Sequence, residues 1–318
     1  MNLSGLALQL LNGLADASAL FLVAAGLSLI FGVTRIVNFA HGSFYMLGVY
    51  LAWTLTRAWG GTPWGYWAAL PAAALLVGLL GALVEWLVLR RLYRAPALYP
   101  LLATFALVLI IGDAVLAAWG PEDLFAARAP GLDGAVHWLG RRFPEYDLLL
   151  IALGPAVLAL LWLLLRRTRW GMLLRAAAEN RRMLAALGVN QALLFTSAFA
   201  LGAFLAGLGG ALAAPRQPAT LGLALEVIAS AFVVVVVGGL GSIPGAFLAA
   251  LLISEAKALC IFLGEVSVAG HAIDLPRLTL VAEFAVMAVV LVVRPWGLMG
   301  RPPEPGTCAA ERGAPVAP

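Results

Sequence analysis

Residues 8–33 read LQLLNGLADASALFLVAAGLSLIFGV and contain one charged residue, Asp16. A helix needs roughly 20 mostly apolar residues to cross the hydrocarbon core of a bilayer, so this segment is long enough to span it. Further segments of the same character follow at 39–57, 66–89, 98–119, 146–165, 193–213, 225–240, 243–263 and 277–294. The sequence therefore predicts an all-α, polytopic membrane protein.

The stretch 225–263 leaves the predicted number of transmembrane helices at eight or nine. Its centre, GGLGSIPG at residues 238–245, is a poor helix interior because glycine and proline disfavour helix. Either two helices meet there at the membrane surface, or a broken helix re-enters the membrane.

The composition of the whole chain agrees with a membrane protein. Of its 318 residues 63% are hydrophobic and 11% are charged, whereas soluble domains average about 45–50% apolar and about 25% charged residues. The arginines concentrate at 90–94, at 166–182 and after residue 293. Cytoplasmic loops carry an excess of arginine and lysine, so these regions and the C-terminus are predicted to be cytoplasmic. This distribution argues against nucleic acid as the partner of the net charge of +4.

The predicted inner loop, RRTRWGMLLRAAAENRRMLAALGVN at residues 166–190, is too polar to span a membrane. Residues 172–187 are good helix formers, and Gly188 is well placed to end a helix. An apolar stripe at helical spacing comprises Met172, Leu173, Ala176, Met183, Leu184 and Leu187. The residues alone leave two alternatives open: an interfacial helix on anionic lipid, or a helix that docks on a cytoplasmic protein.

Ionisable residues inside the predicted spans are the second functional signal. Each costs on the order of 2.5–3.5 kcal/mol at the bilayer centre, so each needs either a packing or a functional reason. They are Asp16, Glu85, Asp113, Glu255, Lys257 and Glu283, and Glu226 lies at an outer span end. Between the first two spans, Asn38 either caps the second helix or lines the cytoplasmic mouth of a pathway with His41. The candidate translocation path is therefore Asn38, His41, Glu85, Asp113 and Glu283.

Other classes of site lack support in the sequence. The only lysine, Lys257, lies between two alanines, so there is no Walker A loop for ATP. His41, His137 and His271 are far apart in the sequence, and neither a metal site nor an enzyme active site is expected. The small residues Gly202, Ala206 and Gly210 predict close helix packing, either within this chain or against a second one.

Four stretches, taken together and in order, resemble the LivH-like permease subunits of branched-chain amino-acid ABC importers. They are GLSLIFGV through NFAHG at 26–42, the segment from Glu85 to YRAP at 93–96, the inner loop with RAAAEN and LGVN, and GGLGSIPG. The resemblance runs from about residue 8 to residue 297. It implies a transmembrane permease domain at 1–300, and the Pro-, Gly- and Ala-rich residues 301–318 are predicted to be a disordered cytoplasmic tail.

The resemblance also implies a function and a set of partners. The inner loop is similar to a coupling helix that docks on an ATPase, with Arg175, Ala178, Glu179, Asn180 and Gly188 as coupling residues. Ala178-Glu179-Asn180 departs from the Glu-Ala-Ala signature of many other ABC permeases. Implied partners are a second related permease or a second copy, two cytoplasmic ABC ATPases that use the ATP, and an extracytoplasmic solute-binding protein. The setting would be a bacterial cytoplasmic (inner) membrane.

The implied mechanism is alternating access driven by separate ATPase subunits, with no cofactor bound by this chain. The implied cargo is a branched-chain amino acid or a related small solute such as urea or a short amide. The alternative function is a stand-alone ion-coupled secondary transporter. A broken helix at 238–245 and intramembrane acids would suit that design, but no convincing inverted repeat is found.

Overall fold

The computed structural model describes residues 3–93, 95–96, 98–138, 140–268 and 271–300. The tail at 301–318, predicted to be disordered, lies outside the described residues. The helices are α1 (Leu3–Thr34), α2 (His41–Trp59), α3 (Pro63–Val84), α4 (Arg90–Leu92), α5 (Leu98–Trp119), α6 (Glu145–Arg167), α7 (Arg169–Glu179), α8 (Arg181–Ala186), α9 (Gln191–Ala213), α10 (Leu223–Gly238), α11 (Ile243–Leu263) and α12 (Thr279–Val293). Two antiparallel hairpins, β1 (Ala135–Trp138) with β2 (Arg141–Pro144) and β3 (Glu265–Val268) with β4 (His271–Asp274), join helices.

Each of the nine predicted spans coincides with a helix in the described part of the chain. Seven helical stretches are long and apolar enough to cross a membrane: Leu3–Thr34, Pro63–Leu92, Leu98–Trp119, Glu145–Arg167, Gln191–Ala213, Ile243–Leu263 and Leu275–Val293. Helix α10 has 16 residues and is shorter than these. Helix α2 is long enough, but it carries more polar residues. The all-α polytopic prediction is confirmed.

Residues 239–242 join α10 and α11 in a tight turn, so the structure has two neighbouring helices rather than one broken helix. Gly239 and Gly241 have φ angles of 97° and 84°, in the left-handed region that favours glycine. The Ser242 hydroxyl accepts a 3.1 Å hydrogen bond from the Gly245 backbone N–H and caps α11. The proline and the glycines of this stretch therefore end one helix and start the next.

Helix α1 forms the centre of the molecule and packs against α6, α9, α10 and α11. A Cβ atom at Gly202 of α9 would lie 2.6 Å from the Ile30 side chain, and one at Gly210 would lie 2.1 Å from the Tyr45 carbonyl oxygen. The small-residue stripe of α9 thus packs inside this chain, the first of the two predicted alternatives. Large apolar side chains of α3, α5 and α12 remain exposed, as lipid-facing helices require.

The connection between α1 and α2 runs back along α1. The Nε2 atom of His41, the first residue of α2, lies 2.9 Å from the carbonyl oxygen of Val23, well before α1 ends at Thr34. Asn38 is buried, and its Oδ1 accepts a 3.1 Å hydrogen bond from the Ala40 N–H, just ahead of the helix. Asn38 therefore orders the turn into α2, and α2 begins beside the middle of α1.

The predicted inner helix at 172–187 is wrong in one respect, because two helices occupy this segment. Asn180 is extended, and its Oδ1 accepts a 3.0 Å hydrogen bond from the Met183 N–H, which starts α8. Because the helix is interrupted at Asn180, the side chains of α8 do not continue the helical spacing of α7. The buried side chains are Leu174, Ala177 and Leu184, whereas Met172, Met183 and Leu187 of the predicted stripe are exposed. Gly188, at φ 76°, follows the end of α8 as predicted.

Candidate functional site

A cavity of about 340 Å³ lies among α1, α2, α10, α11 and the segment that follows α9. This volume is within the usual range of small-molecule sites. Its apolar wall comprises Ala19, Leu20, Val23, Ala213 and Val227. Four charged residues, Asp16, Arg216, Glu226 and Lys257, border the same space. The cavity therefore combines an apolar surface with charged groups of both signs.

Arg216 follows α9 and ties three parts of the molecule together at one side of the cavity. Its Nη1 atom lies 2.7 Å from Oδ1 of Asp16 on α1, and its Nε atom lies 3.0 Å from Oδ1 of Asp147 on α6. The neighbouring Gln217 donates a 2.6 Å hydrogen bond from its side-chain amide to the Tyr45 hydroxyl of α2. The segment after α9 is thus held against α1, α2 and α6.

Lys257 forms the second charged centre of the cavity. Its Nζ atom lies 2.6 Å from Oε2 of Glu283 on α12 and donates a 3.3 Å hydrogen bond to the Ser230 hydroxyl of α10. Glu283 is 1% exposed, and its other oxygen, Oε1, has no hydrogen-bond partner among the described residues. The lysine side chain is 29% exposed. Its ammonium group therefore reaches the cavity while it is paired with the buried Glu283 carboxylate.

Glu226 differs from the other charged residues of the cavity. It lies in the first turn of α10, where the helix dipole favours a negative charge. Within the described residues it forms no ion pair, and its side chain is exposed. Helix α10 begins close to α2, because a Cβ atom at Gly42 would lie 2.0 Å from the Ala224 carbonyl oxygen. The packing of these two helices places Glu226 at the cavity.

Of the five residues predicted for the translocation path, only Glu283 lies next to the cavity, through Lys257. His41 and Asn38 are buried beside α1, so the structure does not place them at an open mouth. Asp113 is exposed on α5 and does not border the cavity. Glu85 lies in a separate buried cluster.

The Glu85 cluster joins α3 to α9. Glu85 is fully buried and is the first residue of a π-helical turn, Glu85–Leu89. This turn interrupts the α-helix and changes the direction in which the following side chains point. Its carboxylate accepts hydrogen bonds from the Tyr93 and Thr196 hydroxyls and lies 3.8 Å from Nη2 of Arg90. Burial and the Glu85 carboxylate both raise the pKa of Tyr93, which keeps its hydroxyl protonated as a donor. The contacts assign Glu85 a packing role.

Three side chains connect α7 and α8 to the long helices. Arg35, at the end of α1, donates a 3.0 Å hydrogen bond from Nη2 to the Ala178 carbonyl oxygen. The Arg181 guanidinium donates to the Val33 carbonyl oxygen and lies 5.1 Å from the ring centroid of Phe195 on α9. Burial, together with the nearby Arg35 charge, lowers the pKa of Arg181. Trp170 donates a 2.8 Å hydrogen bond to the Ser197 hydroxyl.

The predicted coupling residues lie on this anchored loop, mostly on its outer surface. Glu179, Asn180 and Gly188 are exposed, and Ala178 is half-buried. Arg175 is exposed and donates a 2.6 Å hydrogen bond to the Leu165 carbonyl oxygen at the end of α6.

Sequence reasoning missed Arg216 and Gln217, which follow α9, and it did not single out Lys257 for the path. One signal was available. A 16-residue helix is short for a membrane crossing, so the chain before α10 has to pass partly into the bundle to reach it. Polar residues on that chain are therefore candidates for a cavity.

Comparison with known proteins relates this architecture to one class of transport protein. Over 303 residues the chain is 30% identical to the high-affinity branched-chain amino acid transport system permease protein BraD of Pseudomonas aeruginosa, with 92% of this chain and 95% of the relative covered. It is 29% identical to the probable branched-chain amino acid transport permease protein LivH of Methanocaldococcus jannaschii, with 89% of each covered. No solved structure matches significantly.

A more distant relative is a permease of such a system with a different name, LivM. The chain is 26% identical to the permease protein LivM of Escherichia coli, with 91% of this chain and 70% of the relative covered. These relatives are named as transport permeases rather than enzymes, and none is named as an ion-coupled carrier. The family model described as the permease component of branched-chain amino acid transport systems matches residues 9–292, so the chain belongs to this permease family.

Proposed function

We propose that this chain is a membrane-spanning subunit of an ATP-driven importer of branched-chain amino acids in a bacterial cytoplasmic membrane. The observation that carries the proposal is the cavity beside α1, where the apolar wall at Leu20 and Val227 adjoins charges of both signs. Such a cavity suits a small solute that has an apolar side chain and two charged groups. The named function of the relatives agrees with this cargo.

The importer would need several further subunits. A second permease related to this chain, or a second copy, completes the pathway, and relatives named LivH and LivM support the first of these arrangements. Two cytoplasmic ABC ATPases would supply the energy, because this chain has no Walker A loop. An extracytoplasmic binding protein would deliver the solute. Outside the cavity, no feature of the described residues favours a function other than transport.

Helices α7 and α8 would dock on an ATPase. Their exposed surface carries the apolar side chains Met172, Met183 and Leu187 beside the charged Glu179, a mixture suited to a protein partner. The hydrogen bond from Arg35 to Ala178 links this surface to α1, and the bond from Trp170 to Ser197 links it to α9. Movement of the docked ATPase would thereby reach α1, which borders the cavity, and α9, whose last residue Ala213 lines it.

Co-purification tests the subunit composition. The tagged chain is extracted in mild detergent from its native membrane, and the proteins that elute with it are identified. We expect two P-loop ATPases and a second, related permease. Recovery of this chain alone, from a preparation that still transports without ATP, would contradict the importer assignment and favour an ion-coupled carrier.

Charge reversal tests the docking surface. Glu179→Arg changes an exposed side chain, so we expect normal insertion and folding but ATP-dependent uptake reduced to background. Glu122→Arg, which makes the same charge reversal at an exposed acid in the loop after α5, is the matched control and is expected to transport normally. Normal uptake by a well-expressed Glu179→Arg variant would show that this surface does not couple to the ATPase.

A further inference from the structure

The charges around the cavity do not balance. The acidic groups at or directly behind its wall are Asp16, Asp147, Glu226 and Glu283, and the basic groups are Arg216 and Lys257, which leaves a formal charge of −2 (2 − 4). Arg216 is already shared between two carboxylates. Of these four acids, Glu226 alone forms no ion pair with the described residues, so it is the one most able to bind a cation from the cavity.

Lys257 is suited to bind an anionic group from the cavity. A lysine ammonium group donates three hydrogen bonds, and the carboxylate of Glu283 and the hydroxyl of Ser230 take two of them. The third remains for a ligand, and the side chain is partly exposed at the cavity. Glu283 holds the ammonium group in place but, at 1% exposure, does not itself reach solvent.

The spacing of the two groups follows from α10. Glu226 and Ser230 are four residues apart and share one face of this helix, with a rise of about 6 Å between them. Because Lys257 contacts the Ser230 hydroxyl, its ammonium group lies about one helical turn from the Glu226 position. A small ligand can therefore contact both groups, with its own ammonium and carboxylate groups between them.

We infer that Glu226 binds the ammonium group and Lys257 binds the carboxylate of the transported amino acid, which makes these two residues the determinants of selectivity for a zwitterion within the membrane. Ser230 and Glu283 are positioning residues for Lys257. The apolar residues Leu20, Val23 and Val227 face the ligand's side chain across the same cavity. This inference rests on the proposed function.

The test separates the two charges of the ligand. The complete complex is purified without a binding protein, and bound radiolabelled L-leucine is displaced by unlabelled leucine, by 3-methylbutylamine, which lacks the carboxylate, and by 4-methylpentanoate, which lacks the ammonium group. We expect leucine to bind at least about tenfold more tightly than either analogue, the ratio expected for one charge-assisted hydrogen bond.

The variants then assign each group. Lys257→Met should remove the preference for leucine over the amine: leucine affinity falls, whereas the amine, which has no carboxylate to lose, binds at least as tightly as before. Glu226→Gln should remove the preference for leucine over the acid: leucine affinity falls, whereas the acid, which has no ammonium group to lose, binds at least as tightly as before. Lys257→Arg should keep the preference for leucine, and Glu122→Gln should behave as the unaltered protein. Because Lys257→Met leaves the buried Glu283 unpaired, Lys257→Met with Glu283→Gln serves if the single variant does not assemble.

Two results would overturn the inference. In the first, a variant lowers the affinities for leucine and for both analogues by the same factor; in the second, the variants bind leucine with normal affinity. ATP-dependent leucine uptake by the unaltered complex is measured in parallel. If that complex transports leucine while its variants keep unaltered ligand preferences, this inference alone fails. If it neither binds nor transports leucine, the proposed function fails.

Discussion

Individual buried side chains hold the helices of this protein together through polar contacts. Glu85 contacts Thr196 on α9, and Glu283 contacts Lys257 on α11, so each acid joins two different helices. The cost of an acid inside a membrane span marked both residues from the sequence. It did not identify their partners, because helix packing decides which side chains meet. Asp113 satisfied the same criterion, yet it is exposed on α5.

Replacing Glu85 tests the buried cluster. Glu85→Ala leaves the Tyr93 hydroxyl without its acceptor and removes the counter-charge of Arg90, and hydrogen bonds to a charged group contribute about 1.5–3 kcal/mol each. We expect a clear fall in the melting temperature of the detergent-solubilised protein. Glu122→Gln, an exposed acid, should melt with the unaltered protein. Equal melting temperatures for all three proteins would contradict the role assigned to the cluster.

At the scale of helices, glycine sets how closely neighbours approach. The sequence placed the long helices well, because the membrane fixes the length of an apolar span. It did not reveal that α2 begins beside the middle of α1, since that depends on tertiary contacts of a short connection. The inner loop was predicted as one helix because its residues favour helix, but the side chain of Asn180 competes by capping a new one.

The contact between α2 and α10 gives a test at this scale. Gly42→Ala would place a methyl group 2.0 Å from the Ala224 carbonyl oxygen, so the two helices have to separate. We expect lower thermal stability and loss of leucine binding. Gly112→Ala is the matched control, because a Cβ atom there meets nothing within 4 Å and alanine favours helix over glycine by about 0.5–1 kcal/mol. If both variants lost stability equally, close packing at Gly42 would not be the cause.

For the whole molecule, the central position of α1 explains why its middle borders the cavity. Orientation across the membrane was predicted from the arginine distribution, and the positions of the helices alone do not fix it. The all-α, polytopic architecture could be predicted because the hydrophobic composition of the chain sets it. The site could not, because Arg216, Glu226 and Lys257 converge only when α10 and the segment before it fold into the bundle.

Thiol labelling tests the orientation. The chain has two cysteines, Cys260 and Cys308. In a Cys260→Ser background, a membrane-impermeant maleimide should label Cys308 in inside-out vesicles and not in intact spheroplasts, since the C-terminus is predicted to be cytoplasmic. A Glu122→Cys change in a background with both Cys260→Ser and Cys308→Ser should give the opposite pattern. Labelling of Cys308 in intact spheroplasts would reverse the assigned orientation.

The central claim is that this chain carries branched-chain amino acids under the control of ATPases. The most direct measurement is uptake of radiolabelled L-leucine by proteoliposomes that contain the complete complex and its binding protein. We predict accumulation that requires ATP, is unaffected by ionophores that dissipate ion gradients, and is lost with Glu179→Arg. Leucine uptake that proceeds without ATP and collapses with the ionophores would contradict the claim.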